Sequence, residues 1–308
     1  MGSSRILLVG GTGEVGRSVT AASARLGHPT FLLVRDPSPS DPAKAAMLDS
    51  FQKAGVTLLK GDLTDYESLI AAVKQVDIVI SVVGRPQILQ QLKLLEAIKE
   101  VGTIKRFIPS EFGNYADNKL KILHEVIAKN KAVVADAVKK SGVPYTFVVS
   151  GAGAHWCIDD LWQNLLTGAA LKSPPRDKVK IWADGNAKAV LINEDDIGTY
   201  TILAVEDPRA ENKTLYVRPP GVYLSQNEIV ALWEQKIGHT LEKTYVPDEE
   251  LVKTIEESPY PMNLFIAINY GYLVQGYKPD LGTNGVEAFT LWPNVKYMTT
   301  SEYLDRFV

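Results

Sequence analysis

Cysteine is almost missing from this 308-residue chain. Cys157 stands alone, which excludes an internal disulfide and fits a reducing compartment. A basic excess is missing too: 33 lysines and arginines face 36 aspartates and glutamates, for a net charge of −3. That balance leaves nothing to replace the counterions of a nucleic acid. No apolar run reaches the length of a membrane span; Ile78 to Val83 is typical and only strand-sized. The amino-terminus has no apolar signal region, and Met1-Gly2 is followed at position 6 by Ile6, where an acylation signal needs Ser or Thr. Histidine is scarce, at four residues, and no G-x-S-x-G elbow accompanies it, which argues against a serine hydrolase. His155 and Cys157 find no second pair of metal-ligating residues, so no metal is expected. What remains is a cytoplasmic globule, 45% hydrophobic and 22% charged, long enough for one large or two modest domains.

What is present starts with Arg5-Ile-Leu-Leu-Val-Gly-Gly-Thr-Gly-Glu-Val-Gly16. Ile6 to Val9 reads as a buried strand, and the amphipathic segment Val15 to Leu26 reads as a helix. Between them the stretch Gly10, Gly11, Thr12, Gly13, Glu14, Val15 and Gly16 is expected to cradle a pyrophosphate on unpaired backbone N–H groups. Gly10 permits the turn, Gly13 admits the phosphates, and Gly16 lets the helix sit close to the sheet. The spacing is G-x-x-G-x-x-G, the variant usual among short-chain dehydrogenase/reductase folds.

From residue 5 to about 150 strands and helices alternate, which predicts a doubly wound parallel sheet. Strands are expected near 5–10, 30–35, 56–60, 77–83, 104–109 and 144–150, and helices near 14–27, 42–54, 64–74, 87–101 and 119–141. The second strand ends in Arg35-Asp36. An arginine in that place accommodates a 2′-phosphate, so NADP(H) is favoured over NAD, with Lys44 as a second cation. Asp62, after the third strand, sits where such folds touch the adenine, and Gly84, closing the fourth, is expected beneath the cofactor.

Two lysines compete for the chemistry. Tyr115 and Lys119 have the four-residue spacing of a short-chain reductase pair, but they fall at the start of the helix beside a Gly113-Asn114 break, and the chain's 13 tyrosines make a chance match ordinary. Lys131 lies deeper, on the helical face of Ile127, Val134 and Val138. A lysine lodged against a sheet and a cationic nicotinamide loses charge stability and can act as a base; a snorkelling surface lysine is the other reading, and spacing leaves both open. Asn193-Glu-Asp-Asp196 reads as a helix N-cap with acids in the first turn rather than as a carboxylate cluster.

Beyond residue 153 all five tryptophans appear, and helices at 158–167, 225–237 and 247–257 mix with strands at 179–183, 189–192, 214–217 and 242–245. The expected division is a Rossmann-like domain over 1–152, with parts of 179–217 able to return to it, and a substrate-binding domain over 153–308. Trp156, Trp162, Phe265, Tyr270 and Tyr272 are candidates for stacking on an aromatic substrate, with Tyr260 and Met262 in a proline-punctuated loop beside them.

Several stretches together carry a resemblance: Gly10 to Gly16, Leu26-Gly-His-Pro-Thr30, Ile104-Lys-Arg-Phe-Ile-Pro-Ser-Glu-Phe-Gly113, Gly142-Val-Pro-Tyr-Thr146, Lys213-Thr-Leu-Tyr-Val-Arg-Pro-Pro220 and Glu257-Ser-Pro-Tyr-Pro-Met-Asn263. The chain resembles the plant isoflavone reductase-like family of phenylcoumaran benzylic ether, pinoresinol–lariciresinol and isoflavone reductases and eugenol synthases, nearest its phenylcoumaran benzylic ether reductase-like members. The resemblance implies an α/β fold of the atypical, NmrA-like short-chain dehydrogenase/reductase type with a smaller α+β substrate domain. It implies NADPH as cofactor and a phenylpropanoid-derived phenol as substrate, and leaves a homodimer open. By its distance from Gly142-Val-Pro-Tyr-Thr146, Lys131 takes the place of the family's catalytic lysine. Ser110, Glu111, Phe112, Gly151 and Gly153 join the cofactor contacts, and Trp156, Met262 and Tyr270 the substrate contacts. In the implied reaction a base removes the phenolic proton, the ring ether opens to a quinone methide, and hydride from NADPH quenches the benzylic carbon. Lignan furan-ring opening, isoflavone reduction and a non-catalytic NADP(H)-sensing protein are the alternatives. The chain departs from the family pattern between Asn114 and Lys131, at Tyr270 in place of a common histidine, and at Gly151-Ala-Gly153-Ala-His-Trp156.

Overall fold

The computed structural model describes residues 3–113, 124–168, 170–276 and 284–308. In the first half β1 (Ile6–Val9), α1 (Glu14–Arg25), β2 (Thr30–Val34), α2 (Pro42–Lys53), β3 (Thr57–Lys60), α3 (Tyr66–Val73), β4 (Ile78–Ser81), α4 (Gln91–Val101), β5 (Arg106–Ile108), α5 (His124–Lys140) and β6 (Thr146–Val149) follow one another. All four residues of β1 are buried, as are those of β4 and β6, the near-continuous apolar pattern of strands covered on both faces. They pair in parallel in the order β3-β2-β1-β4-β5, with Ile6 opposite both Thr30 and Ile78. Side chains cap two of these helices: Asp41 accepts from the Lys44 amide at the start of α2 and Asp65 from the Ser68 amide at the start of α3.

The second half contributes β7 (Ala152–Gly153), α6 (Gln163–Thr167), β8 (Lys178–Trp182), β9 (Lys188–Ile192), α7 (Glu194–Ala204), β10 (Lys213–Tyr216), β11 (Tyr223–Ser225), α8 (Gln226–Ile237), β12 (Glu242–Val246), α9 (Asp248–Glu257), α10 (Met262–Leu273), β13 (Gly285–Glu287), α11 (Ala288–Leu291) and α12 (Thr300–Leu304). Part of it rejoins the first sheet. β10 lies parallel between β6 and β13, and β6 meets β5 through a bridge between Phe107 and Tyr145. α7 packs on α1 so closely that a Cβ on Gly198 would lie 2.5 Å from the Ser18 carbonyl oxygen. Ser18 donates to Asp195 at 2.8 Å and Arg25 to Thr199 at 2.7 Å along the same seam. Buried Arg106 of β5 donates to Thr146 at 2.9 Å and to the Ala204 carbonyl at 3.1 Å, and pairs with Glu211 at 3.0 Å. The rest of the second half has a separate core around Trp162, Trp182 and Trp233, beneath the small sheets β7-β9-β11 and β8-β12.

Some expected elements differ. The helix expected over 158–167 shrinks to α6, because Leu161 and Trp162 take left-handed φ values of 51° and 61° while the Trp162 amide donates to Asp160. The helix expected over 87–101 divides at Gln90 into a 3-10 stretch begun by Arg85-Pro86 and the α-helix α4. Asn193 does precede α7, with Glu194, Asp195 and Asp196 in the first turn, but its side chain makes no capping hydrogen bond. Tyr115 and Lys119, like most of the departure after Asn114, lie outside the described residues.

Candidate cofactor and substrate site

The glycines after β1 are fixed by what surrounds them. Gly10 has φ +84°, and a Cβ there would stand 2.5 Å from the Val82 carbonyl oxygen; one on Gly16 would stand 2.2 Å from the Gly10 carbonyl oxygen. Gly11 faces inward, where a Cβ would meet Thr20 and Leu32, so it serves packing. At Gly13 the nearest atom is 3.4 Å away, which leaves its outer side open for a ligand. The first amides of α1 have no partner within the helix and face the same opening.

That opening continues into a cavity of about 550 Å³ along the carboxyl ends of β1, β2 and β4. Thr12 and Gly13 line one end, Gly84 the floor, and Arg35, Lys44 and Asp62 the other end. Arg35 stands 3.9 Å from Asp62. Hydrogen bonds from the hydroxyl and amide of Thr64, helped by Arg35, hold the Asp62 carboxyl below the usual carboxylate range. The two cations expected to meet a 2′-phosphate thus face one space.

A second cavity, about 490 Å³, adjoins the first at Gly13 and at Val82 to Gly84. One wall is Ser110 and Phe112; the opposite wall comes from the second half as Trp156, Tyr260, Leu264 and Phe265. Ser110 is pinned by two bonds, its amide donating to Gln91 at 2.7 Å and its hydroxyl to the Val83 carbonyl at 2.9 Å. Trp156 is 54% exposed and stacks on Phe265, centroids 6.1 Å apart and planes 16° apart. Lys131 reaches this region from α5: its ammonium donates to the carbonyl oxygens of Glu111 and, at 3.4 Å, Phe112. Burial pushes the Lys131 amine down, Arg85 acts in the same direction, and Glu111 opposes both. The Glu111 carboxyl is itself buried and pushed up by that burial, against the pull of Lys131.

Other expected residues lie elsewhere. Gly151 and Gly153 support the β7–β9 seam, where Cβ atoms would stand 2.5 Å from the Val190 carbonyl oxygen and 2.3 Å from a Glu194 carboxylate oxygen; neither lines a cavity described above. Tyr270 is only 8% exposed, and its hydroxyl donates to Asp248 of α9 at 2.6 Å. Burial and Asp248 push that phenol up to about 12, so it stands in the second core as a neutral strut. Trp162 is buried there too, donating to Asn269 at 3.0 Å, and Tyr272 is buried in the same core. Met262 is an exposed residue at the start of α10, beside but not among the cavity residues. Cys157 is buried with its thiol pushed up by burial, which leaves it inert.

Two features were absent from the sequence reading. Arg85, directly after Gly84, enters the second cavity with its guanidinium 5.5 Å from the Phe265 ring centre. His155 stands between two carboxylates, 3.6 Å from Glu14 and 3.4 Å from Glu194, and so links the glycine turn to α7. Gly84 followed by a cation was the signal for the first; nothing in the sequence spacing marks the second.

The NmrA-like family pattern matches residues 2–304, nearly the whole chain. The chain belongs to the NmrA-like family. Within that family it is 50% identical over 311 residues to a phenylcoumaran benzylic ether reductase of Ginkgo biloba, covering 100% of both chains. Among solved structures, one from the pinoresinol–lariciresinol and phenylcoumaran benzylic ether reductases is 40% identical with a TM-score of 0.92, covering 100% of each chain. AtPrR2 with NADP+ and (+)-pinoresinol is 36% identical with a TM-score of 0.89, again over 100% of each. The Rossmann-like α/β fold of this NmrA-like chain is therefore the fold of known reductases.

Proposed function

We propose that this chain is a cytoplasmic NADPH-dependent reductase of phenylpropanoid-derived phenols, with reduction of a phenylcoumaran benzylic ether as its reaction. The cofactor reading rests on the fit of the crevice: glycines at 10, 13 and 16 leave a cradle that a Cβ at 10 or 16 would collapse, and Arg35 with Lys44 supply two cations for a 2′-phosphate. The Gly13 amide is spent on the Gly10 carbonyl, so the amides of Glu14 to Gly16 would hold the diphosphate, with Gly84 lining the same cavity. When bound, NADPH supplies the hydride.

The observation that carries the reaction is Lys131. Its amine is pushed down by burial, is anchored on two carbonyl oxygens, and shares electrostatic contact with the aromatic cavity through Arg85. A neutral amine so placed accepts a phenolic proton and returns it after the ring ether has opened, without a tyrosine partner. The unit that begins near residue 153 supplies the apolar wall, through Trp156 and the start of α10, and so keeps water from the opened ring.

The test uses a phenolic phenylcoumaran and its phenol methyl ether. NADPH oxidation with the first and none with the second is the expected result, because the ether has no proton to lose. Equal rates would remove Lys131 from the chemistry, and tight NADPH binding without turnover on any phenol would favour a cofactor-sensing role. Furan-ring opening of a lignan is the second reading, favoured by the likeness to AtPrR2, whose structure holds (+)-pinoresinol.

A further inference from the structure

We propose that Arg85 is an oxyanion-binding residue of the aromatic cavity, taking either the phenolate of the substrate ring or a carboxylate on its side chain. This deepens the reductase reading above and rests on it for the substrate class. Four observations carry it. Arg85 follows Gly84 at the carboxyl end of β4 and, although solvent-exposed, lines the second cavity. Its guanidinium lies over Phe265, 5.5 Å from the ring centre, a contact that does not use its N–H donors. Among the described residues no carboxylate comes within ion-pair distance of it, and no hydrogen bond ties it to a neighbour. Glu14 lines the cavity but pairs with Arg17 and lies near His155, and the Glu111 carboxyl is buried.

Arg85 is partnered by an aromatic face, in a cavity whose apolar wall is Trp156, Phe265, Leu264 and Phe112 and whose one carboxylate, Glu14, is already paired with Arg17, so its charge is left without a carboxylate partner. Its planar fork matches a carboxylate through two bonds and a phenolate through one. Either anion would slide its ring against the Phe265–Trp156 stack while its oxygen meets the fork.

The test is equilibrium binding to the NADP+-loaded protein, so it does not depend on turnover. A 4-hydroxyphenyl propenoic acid is compared with the matching alcohol, in wild type, Arg85→Gln and Arg85→Lys. For the carboxylate source, Arg85→Gln weakens the acid about tenfold to a hundredfold and leaves the alcohol unchanged. For the phenolate source, the acid and the alcohol lose equally, the losses grow as pH approaches the phenol's own pKa, and Arg85→Lys restores part of each. Two results overturn the proposal: unchanged binding of both aromatics in Arg85→Gln, or a loss confined to NADP+ affinity, which would assign the cation to the cofactor phosphates. A wild type that binds the aromatics through Arg85 yet never oxidises NADPH would keep the oxyanion site and sink the reductase reading alone.

Discussion

Replacing Arg35 by alanine tests the adenosine end of the crevice. Arg35 follows β2, its side chain is 75% exposed, and its ion pair with Asp62 is a loose 3.9 Å. Asp62 owes its low pKa first to Thr64 and only last to Arg35, so the guanidinium is free to turn to a better partner. A hydrogen bond between charged groups contributes about 1.5–3 kcal/mol, and exposure to solvent places this one at the low end. That converts to a dissociation constant for NADPH about tenfold higher, since each 1.4 kcal/mol is a factor of about ten. NADH, which has no 2′-phosphate, should change by less than about twofold. Lys44 lines the same space, so the single variant keeps part of the preference and Arg35→Ala with Lys44→Ala loses nearly all of it. Fluorescence titration of the purified protein with each cofactor reads both constants. Repeating it at high salt adds a second check, because exposed charges are screened over about 8 Å at physiological ionic strength. The wild-type preference should narrow with salt while the double variant hardly responds. Equal losses for NADPH and NADH, or a preference that ignores salt, would refute a 2′-phosphate role for Arg35.

Lys131→Ala should lower the turnover number by about two to four orders of magnitude, the usual range for a general base, with NADPH affinity nearly intact. Because a lysine acts as a base only when neutral, and burial lowers its pKa, wild-type rate should rise with pH and level off below the ordinary lysine value of about 10.4. Turnover in the variant with the same acid limb would assign that limb to another group. Asp196 gives a prediction about stability. It is 8% exposed, accepts from the Met298 amide at 2.8 Å, and is pushed up to about 6, chiefly by burial. The folded state therefore holds its proton up to a higher pH than the unfolded chain does. The cost of ionising it grows as pH rises from about 4 to about 6 and is fully present above that, at about 3 kcal/mol or less. Asp196→Asn keeps the acceptor for Met298, so urea unfolding should show a gain of about 1–3 kcal/mol at pH 7 and almost none at pH 4. The same gain at both pH values would mean that the effect is packing rather than charge.

The first half of the fold was legible because its residues state the same instruction at every level. Ile6 to Val9 is apolar throughout and is buried throughout, and the Gly10–Gly16 turn can be occupied only by glycine at two of its positions. The second half is harder because its elements serve two cores. α7 follows an acidic first turn, yet it is held by α1 of the nucleotide sheet, through Gly198 against Ser18 and Asp195 against Ser18. β10 and β13 are short strands that gain their place only by pairing onward from β6, β10 on β6 and β13 on β10, and β13 is too brief for a period to be read. Leu161 and Trp162 carry a helical pattern but left-handed angles, a reversal set by Asp160 capturing the Trp162 amide. Local patterns stated which segments were apolar; they did not state which core each would enter.

The candidate site divides along the same line. The turn through Gly10, Gly13 and Gly16 could be read from spacing because a turn is local. Residues whose side chains do the work depended on where distant elements put the opposing wall. Tyr270 and Phe265 sit on the same helix, and both are aromatic; only the helix rotation sends Phe265 to the cavity and Tyr270 to Asp248. Arg85 shows the converse. In sequence it is an arginine in a loop, for which a solvated charge is the ordinary reading. It remains solvent-exposed, but with Phe265 of α10 beneath its guanidinium it also borders a largely apolar cavity. The Lys131 amine on α5 is lowered first by burial, and the same loop cation adds to that shift, a link that no helical period could have shown. On the proposed reading, the cofactor end of the site is written locally, while the cavity meant for the chemistry forms where three separately encoded elements converge.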